Sequence, residues 1–350
     1  MARNLMIISR APLRVSFFGG GTDYPEHFAS EGGAVLGTAI DKSIYITANR
    51  FHSELFDYSI RVAYRKVELV QSVDQIEHAP FRETLKRCGI ARDIELNHIA
   101  DLPAFTGLGS SSSFTVALLQ ALHAYCGRYR SGIDLAYEAI HLERHVFRDS
   151  VGCQDQVFAA VGGFNLIEFR AEDDIQVYRV PISPQRLSQL RDHLMICFTG
   201  IRRSASEVAA KQIRKISHNR SALLRIRRLV DEACNVLVSD RNLSRFGELL
   251  HESWMCKRSL HEEVSSGAID QLYDRAMSAG ALGGKLLGAG NGGFLLLFVP
   301  PEKKSRVRQA LGNPVELKIG LGAPGCQIIH GQYDAPVRDS TGHFLAAAGA

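Results

Sequence analysis

The sequence predicts a two-domain protein in which strands and helices are mixed. Its 350 residues exceed what a single compact core usually holds, so two domains are expected. The first hundred residues alternate short β-branched runs with Gly, Asp or Asn, which is typical of strands. Longer apolar and amphipathic stretches of helical period follow. With 45% apolar and 22% charged residues, the chain has the composition of a globular protein and can form a buried core.

These patterns predict individual elements along the chain. The expected strands are residues 5–9, 34–40, 44–48, 60–63, 95–98, 193–198 and 294–299. The expected helices are 112–125, which is apolar nearly all round and should be buried, then 134–147, 204–239, 246–261 and 268–279. Asp134 suits the N-cap of the second helix. Prolines around residue 182 divide the chain into domains 1–182 and 183–335, followed by a flexible tail at 336–350.

Charge and cysteine content disfavour several classes of protein. The net charge of +4 suits an anionic substrate but lacks the dense basic footprint of a nucleic-acid binder. The basic stretch 204–239 has no aromatic residues to stack on bases, so we expect a solvated helix face. We expect no signal peptide and no membrane span, since no apolar run reaches roughly 20 residues. The seven cysteines lack CxxC spacing, which indicates free thiols in the cytoplasm rather than disulfides or zinc. No pattern in the sequence indicates an oligomeric state.

Residues 107–113 read Gly-Leu-Gly-Ser-Ser-Ser-Ser and lead directly into the buried helix. The glycines let the backbone approach a ligand, and the serines fall where the first-turn N–H groups lack partners and the helix dipole is positive. Such a helix start is a typical phosphate site. A simple serine N-cap after a flexible turn is the plainer alternative, which four consecutive serines make less favoured.

Two other segments are rich in glycine. Residues 283–293 contain Gly-x-Gly-x-x-Gly, but a strand follows where a dinucleotide fold needs a helix. Lys285 is followed by leucine and Ala279 replaces the first glycine, so this is not a Walker phosphate loop either. A glycine loop that closes over a ligand fits better, with a tight turn as the alternative. Residues 10–23 end in Gly-Gly-Gly-Thr-Asp, which offers backbone donors and a carboxylate to sugar hydroxyls.

The three segments together resemble the motifs of the galactokinase–homoserine kinase–mevalonate kinase–phosphomevalonate kinase (GHMP) superfamily. The first carries Pro12, Arg14 and Asp23, the second is 107–112 and the third is 288–293. Their order and spacing match along nearly the whole chain. The resemblance implies an α+β protein with the two-domain GHMP kinase fold and an active site in the interdomain cleft. It also implies an enzyme that transfers a phosphoryl group from ATP to an alcohol.

The resemblance further implies a role for each site residue. Asp155, in the Gly-x-x-Asp-Gln context of 152–156, is expected to accept or orient the hydroxyl proton, and Arg14 to keep it ionised. Glu143 and Ser111 are expected to hold Mg²⁺. The residues expected around ATP are Gly107, Leu108, Gly109, Ser110, Ser111, Ser112, Gly288 and Gly290. Those expected around the sugar are Gly20, Gly21, Thr22 and Asp23.

Segments 38–42, 101–107 and 151–156 are similar to D-glycero-D-manno-heptose 7-phosphate kinases, which phosphorylate the anomeric hydroxyl. Galactokinases carry Gly-Glu-His-Thr-Asp where this chain has Gly-Gly-Gly-Thr-Asp. A sugar phosphate needs a second anion pocket, for which Arg203 and, more weakly, Lys42 are candidates. Arg203 suits a helix cap or a surface ion pair equally well. The alternatives are a fucokinase-like or other sugar 1-kinase, and a sugar sensor without turnover.

Overall fold

The computed structural model describes residues 6–103, 107–201, 205–288, 290 and 292–331, and the side chains of 205–208 are left out of that description. Within this part of the chain, eight strands form one sheet. Its central path runs β11-β1-β2-β5-β3-β4, while β6 pairs with β2 and β7 pairs with β6. The strands are β1 (Met6–Phe18), β2 (Gly33–Arg50), β3 (Ile60–Ala63), β4 (Val67–Val70), β5 (Ile94–Ala100), β6 (Phe164–Ala171), β7 (Asp174–Arg179) and β11 (Gln327–Gly331).

A smaller antiparallel sheet lies in the second half of the described chain, in the order β8-β10-β9. Its strands are β8 (Leu194–Phe198), β9 (Gly283–Leu286) and β10 (Phe294–Phe298). The helices are α1 (Pro25–Glu31), α2 (Ala79–Cys88), α3 (Ser110–Tyr125), α4 (Gly132–His141), α5 (Gln154–Val161), α6 (Pro184–His193), α7 (Ala205–Arg214), α8 (Arg220–Val238), α9 (Ser244–Ser259), α10 (Gly267–Ser278) and α11 (Lys304–Ala310).

Two of the predicted strands are one continuous strand. Residues 33–38 of β2 pair with β6, and residues 44–50 pair with β5. The exposed Asp41 between them marks the place where β2 changes partner, and the strand continues through it. The sequence shows polar residues between the two predicted strands. It does not show that one strand continues and changes its pairing partner, because the partners are strands distant in sequence.

The helix α3 is buried nearly all round, as its sequence predicts. It packs against β1, β2 and α5. The following helix differs from the prediction at both ends. Its N-cap is Ser131 rather than Asp134, and the Ser131 hydroxyl accepts from the Asp134 N–H in a capping box. After His141 the chain continues as a π-helical segment, Leu142–Val146.

The predicted helix 204–239 is two helices, α7 and α8. The break between them is held by Asn219, whose side-chain amide donates to the carbonyl of Leu260 at 2.7 Å. Asn219 is also the N-cap of α8. A basic, continuous helical pattern does not reveal this turn, because the amide finds its partner 41 residues away.

The two halves of the chain share one large core. Phe17 and Phe18 of β1 pack against Phe246 of α9, with ring centroids 5.6 and 5.1 Å apart. The strand β11 pairs with β1, so part of the predicted range 183–335 belongs to the first sheet. The boundary at residue 182 stays a prediction, and the predicted tail 336–350 lies outside the described residues.

A second, smaller core lies under the three-stranded sheet. Trp254 and Tyr273 are the largest side chains in it, and each is about 1% exposed. All seven cysteines carry free thiols. In the part of the chain that the structure describes, no helix combines the length and apolar character that crossing a bilayer requires.

Candidate active site

The two predicted glycine loops lie against each other. A Cβ atom on Gly107 would lie 2.3 Å from the carbonyl oxygen of Leu287, and one on Gly288 would lie 2.8 Å from the Cα of Gly107. Both glycines also have positive φ, 78° and 82°, which side chains rarely tolerate. Gly290 lies near Val264, whose carbonyl a Cβ would approach to 2.6 Å. The structure therefore brings the predicted phosphate loop and the predicted closing loop together by backbone contact.

The phosphate loop ends at the N-terminus of α3. Gly109 is the N-cap in the left-handed conformation, and the three serines 110–112 form the first helical turn. Their N–H groups precede the first intrahelical bond, which the Ser113 N–H donates to Gly109 at 2.9 Å. The hydroxyl of Ser110 is buried without a hydrogen-bond partner, whereas Ser111 is exposed. Leu108 is buried, so only its backbone is available to a ligand. This helix start has the donors and the dipole that suit a phosphate.

Arg14 and Asp155 form a two-pronged ion pair at this helix start. Nε of Arg14 donates to Oδ1 of Asp155 at 2.7 Å, and Nη2 donates to Oδ2 at 2.6 Å. The third guanidinium nitrogen, Nη1, donates to the carbonyl of Gly107 at 2.6 Å. Arg14 is 5% exposed, because β1 delivers it into the core, while Asp155 in the first turn of α5 is partly exposed. The pairing places the predicted catalytic carboxylate beside the phosphate loop.

Glu143 lies in the π-helical segment and is buried, and one of its two carboxylate oxygens accepts hydrogen bonds. Its Oε2 accepts from the Ser112 hydroxyl at 2.8 Å and from the Gln156 amide at 2.5 Å. Its Oε1 has no hydrogen-bond partner. Burial raises the pKa of Glu143 to about 7. The serine that contacts Glu143 is Ser112, one residue after the predicted Ser111.

These residues fit a magnesium ion bound through few protein ligands. Glu143 offers a carboxylate oxygen without a partner, next to a helix start that suits phosphate, and Mg²⁺ is usually bound through one or two carboxylates together with substrate phosphates. In the described residues, no group of three or more His, Cys, Asp or Glu side chains is placed to hold a metal. Mg²⁺ does not require one, because it usually keeps several waters and substrate phosphate oxygens as ligands.

Asp23 lies in a confined position next to residues 152–154. It is 2% exposed, and its Oδ1 accepts from the Gly21 N–H at 3.0 Å. Its Oδ2 faces the Gln154 N–H at 3.4 Å. A Cβ on Gly152 would lie 2.0 Å from that oxygen, so only glycine leaves room for the carboxylate. Burial, and to a lesser degree the charge of Asp155, raise the pKa of Asp23.

Thr22 has a different part from the predicted contact with sugar. Its side chain is fully buried, and its hydroxyl lies 2.8 Å from the Gly19 carbonyl and 3.0 Å from that of Ala34. The same hydroxyl accepts from the Ala34 N–H at 3.1 Å. Thr22 therefore fixes the glycine run to β2, and the role of Gly20 and Gly21 at the sugar stays a prediction. Arg203 lies outside the described residues, and Lys42 pairs with its neighbour Asp41 at 3.5 Å.

Sequence reasoning missed two lysines in this site. Lys257 of α9 donates to the carbonyl of Gly288 at 2.8 Å, and Lys285 of β9 donates to that of Ser16 at 2.9 Å. They are 7% and 4% exposed. A signal was present for Lys257, which falls on the apolar stripe of its helix with Leu250 and Trp254. A lysine on such a stripe is unusual unless it has a partner or a function.

Both halves of the chain are similar to known proteins. Residues 69–163 match the family described as GHMP kinases N terminal domain, and residues 229–317 match GHMP kinases C terminal. D-glycero-alpha-D-manno-heptose 7-phosphate kinase of Campylobacter jejuni is 28% identical over 319 residues, 87% of this chain and 93% of that protein. L-fucokinase/L-fucose-1-P guanylyltransferase of Bacteroides fragilis is 26% identical, and the match covers 87% of this chain but 36% of that protein.

A solved structure shares the whole architecture. The D-glycero-D-manno-heptose 1-phosphate kinase of Bacteroides thetaiotaomicron superposes with a TM-score of 0.75 over 94% of this chain and 99% of that chain, at 24% identity. The predicted α+β class and two-domain GHMP kinase fold are thereby confirmed. The chain belongs to the GHMP kinase family of ATP-dependent kinases, and it is a phosphotransferase with an alcohol group as acceptor.

Proposed function

We propose that the enzyme transfers the γ-phosphoryl group of ATP to the anomeric hydroxyl of D-glycero-D-manno-heptose 7-phosphate, forming the 1,7-bisphosphate. The observation that carries the proposal is the Arg14–Asp155 pair, bonded to the carbonyl of Gly107 in the phosphate loop. A carboxylate for the acceptor hydroxyl thus lies beside the site for the donor phosphates. The choice of heptose follows from the named activity of the Campylobacter jejuni relative and from the three sequence segments similar to such kinases.

In this mechanism Asp155 accepts or orients the proton of the sugar hydroxyl. Arg14 holds both carboxylate oxygens, which fixes the direction of the remaining lone pairs and favours the ionised form. Phosphoryl transfer depends chiefly on positioning and on electrostatic stabilisation of the phosphoryl oxygens. The N–H groups at the start of α3 supply part of that stabilisation, since they are preorganised and point at the phosphate site.

We assign magnesium to Glu143 and Ser111. The unpartnered Oε1 of Glu143 and the exposed hydroxyl of Ser111 are the oxygens available for it, and Ser112 and Gln156 hold the carboxylate in place. When bound, the ion neutralises phosphate charge during transfer. We place the reaction in the cytoplasm, where the seven free thiols stay reduced.

The sugar is assigned to the space beside Gly20, Gly21 and Asp23. The buried carboxylate of Asp23 accepts from two backbone N–H groups, those of Gly21 and Gln154, and keeps further lone pairs for sugar hydroxyls. A non-catalytic sensor is the less favoured alternative. Arg14, Asp155 and Glu143 are all held by specific hydrogen bonds, and sugar binding alone does not require that arrangement.

An ATP-to-ADP coupled assay with magnesium tests the proposal. The acceptors are heptose 7-phosphate, heptose 1-phosphate, mannose 6-phosphate, fucose, galactose and mevalonate. We expect turnover on heptose 7-phosphate. Phosphorus NMR of the product should show two phosphate resonances, one of them from a phosphate bonded to the anomeric oxygen. Turnover on fucose or heptose 1-phosphate alone would keep the kinase mechanism and replace the substrate. Sugar binding without turnover on any acceptor would favour the sensor.

A further inference from the structure

Two buried lysines in the candidate active site form no direct ion pair within the described residues. Lys257 and Lys285, the lysine pair below, donate to backbone carbonyls there, those of Gly288, Ser16 and Phe17. Within the described residues, neither ammonium nitrogen has a carboxylate oxygen within 4.0 Å. A buried, unpaired charge is costly, so a protein keeps one chiefly where a ligand of opposite charge arrives.

The lysine pair converges on one point. A Cβ atom built on Gly20 would lie 3.4 Å from Nζ of Lys257 and 3.9 Å from Nζ of Lys285. The same position is 3.8 Å from the side-chain amide of Gln154, the residue before Asp155. The missing side chain of Gly20 therefore leaves space that two ammonium groups face, next to the catalytic carboxylate.

Three cationic side chains, those of Arg14 and the lysine pair, are buried in this part of the site, where the charges of Asp23 and Asp155 also act on Lys257. Burial lowers the pKa of Lys257 to about 8, and burial together with the neighbouring Lys257 charge lowers the pKa of Lys285 well below its usual range. These shifts report the same unfavourable desolvation of cations, which a bound anion relieves.

The position of the lysine pair indicates which anion it meets. Lys257 is bonded to Gly288, which touches Gly107, and Gly107 accepts from Arg14, which holds Asp155. These contacts surround the place where donor phosphate and acceptor hydroxyl must meet. A phosphate elsewhere on a sugar phosphate would lie farther from Asp155 than the group being transferred.

We propose that Lys257 and Lys285 bind the phosphoryl group while it is transferred and stabilise its charge in the transition state. In that step the sugar oxygen forms a bond to the γ-phosphorus as the bond to the β,γ-bridging oxygen breaks. The electron pair of the broken bond stays on ADP, and the hydroxyl proton goes to Asp155. This inference rests on phosphoryl transfer at the site described above and not on the identity of the sugar.

The test compares Lys257→Gln and Lys285→Gln, which keep a hydrogen-bond donor for the carbonyls and remove the charge. We expect kcat on heptose 7-phosphate to fall about a hundredfold or more in each variant, the scale of losing one transition-state donor, with both KM values nearly unchanged. Lys304→Gln is the matched control, because Lys304 also donates to a backbone carbonyl, that of Leu194 at 2.7 Å, outside the site. Its kcat should equal that of the wild type.

Calorimetry supplies a readout that is independent of turnover. The probe is ADP with aluminium fluoride and magnesium, which imitates the transferred group, compared with ADP and magnesium alone. We expect the wild type to bind the fluoride complex more tightly than ADP. In each glutamine variant the ratio of these two affinities should fall at least tenfold, while the affinity for ADP alone stays the same.

Two results would overturn the inference. A raised KM for heptose 7-phosphate with unchanged kcat and fluoride-complex affinity would assign the lysine pair to the phosphate already on the sugar. Equal losses of ADP and fluoride-complex affinity would assign it to structure, as a link between β9 and β1. If the wild type does not act on heptose 7-phosphate, the proposed substrate fails, while the calorimetric comparison without sugar still decides the role of the lysine pair.

Discussion

Arg14 and Asp155 lie 141 residues apart in the sequence and are joined by two hydrogen bonds of 2.7 and 2.6 Å. Because Arg14 also donates to the carbonyl of Gly107, the carboxylate and the phosphate loop are fixed by the same guanidinium. The position of the Asp155 carboxylate therefore depends on the position of Gly107. This coupling explains why an arginine serves here, since its planar fork offers parallel donors and a third nitrogen for the loop.

The first prediction concerns Asp155 itself. Asp155→Asn should lower kcat by at least about a hundredfold, because the amide cannot take the hydroxyl proton. Steady-state kinetics with ATP and heptose 7-phosphate measure this. Glu316→Gln is the control, since it breaks an Arg308 ion pair of 2.5 Å away from the site. A near-normal rate for Asp155→Asn would remove that residue from the chemical step.

Gly152→Ala tests whether Asp23 binds the sugar. A Cβ there would lie 2.0 Å from Oδ2 of Asp23, so the carboxylate must move. We expect the sugar KM to rise about tenfold to a hundredfold while the KM for ATP changes little. The control is Gly267→Ala, whose Cβ would have nothing within 4 Å. An unchanged sugar KM in a folded Gly152→Ala protein would contradict the assignment of Asp23.

A third prediction is a pH dependence from Lys257. Its pKa is lowered to about 8 by burial, so the lysine is charged below that pH and neutral above it. We expect kcat/KM to fall as the pH rises through about 8, and kcat to fall at higher pH because bound phosphate favours the charged form.

The titration of Lys257 changes stability in the direction opposite to its effect on activity. Between about pH 8 and 10 the unfolded chain binds more protons at this lysine than the folded protein, so this contribution to stability rises with pH. In Lys257→Gln, kcat/KM should be low, and the decline that Lys257 causes near pH 8 should be absent. A wild-type kcat/KM that stays constant to pH 10 would rule out a charged Lys257 in the reaction.

The fourth prediction separates the magnesium residues. Glu143→Gln should raise the magnesium concentration for half-maximal rate by at least about tenfold, and Ser112→Ala should do so to a smaller extent by releasing the carboxylate. Ser111→Ala should raise it through loss of a direct ligand. Magnesium titrations at saturating ATP provide the measurement. No change for Glu143→Gln would exclude it as a ligand.

The fold was predictable where the signal is local. The buried helix α3 and the strands β3 and β10 follow from apolar patterns a few residues long. The strand β9 was not predicted, because two of its four residues are glycines that suggest a turn. The glycines are required by packing: a Cβ on Gly283 would lie 1.9 Å from the Gly247 carbonyl oxygen, so only glycine lets β9 approach α9 this closely.

The candidate site was predictable only where a motif carried it. Asp155 and Glu143 look like surface carboxylates by composition, and the family spacing identified them. Ser111 and Ser112 are adjacent in the first turn of one helix, so the sequence does not reveal which of them contacts Glu143. Lys257 and Lys285 reach the site from elements more than a hundred residues after Asp155. The buried stripe of α9 marks Lys257 as unusual, but no local pattern shows which residues either lysine meets.

The pairing of β11 with β1 has a consequence for the order of folding during synthesis. Residues 7–10 meet residues 327–331, so an edge of the first sheet stays open until nearly all of the described chain has left the ribosome. Until then β1 is unpaired on that side, and such an open edge is prone to pair with other chains.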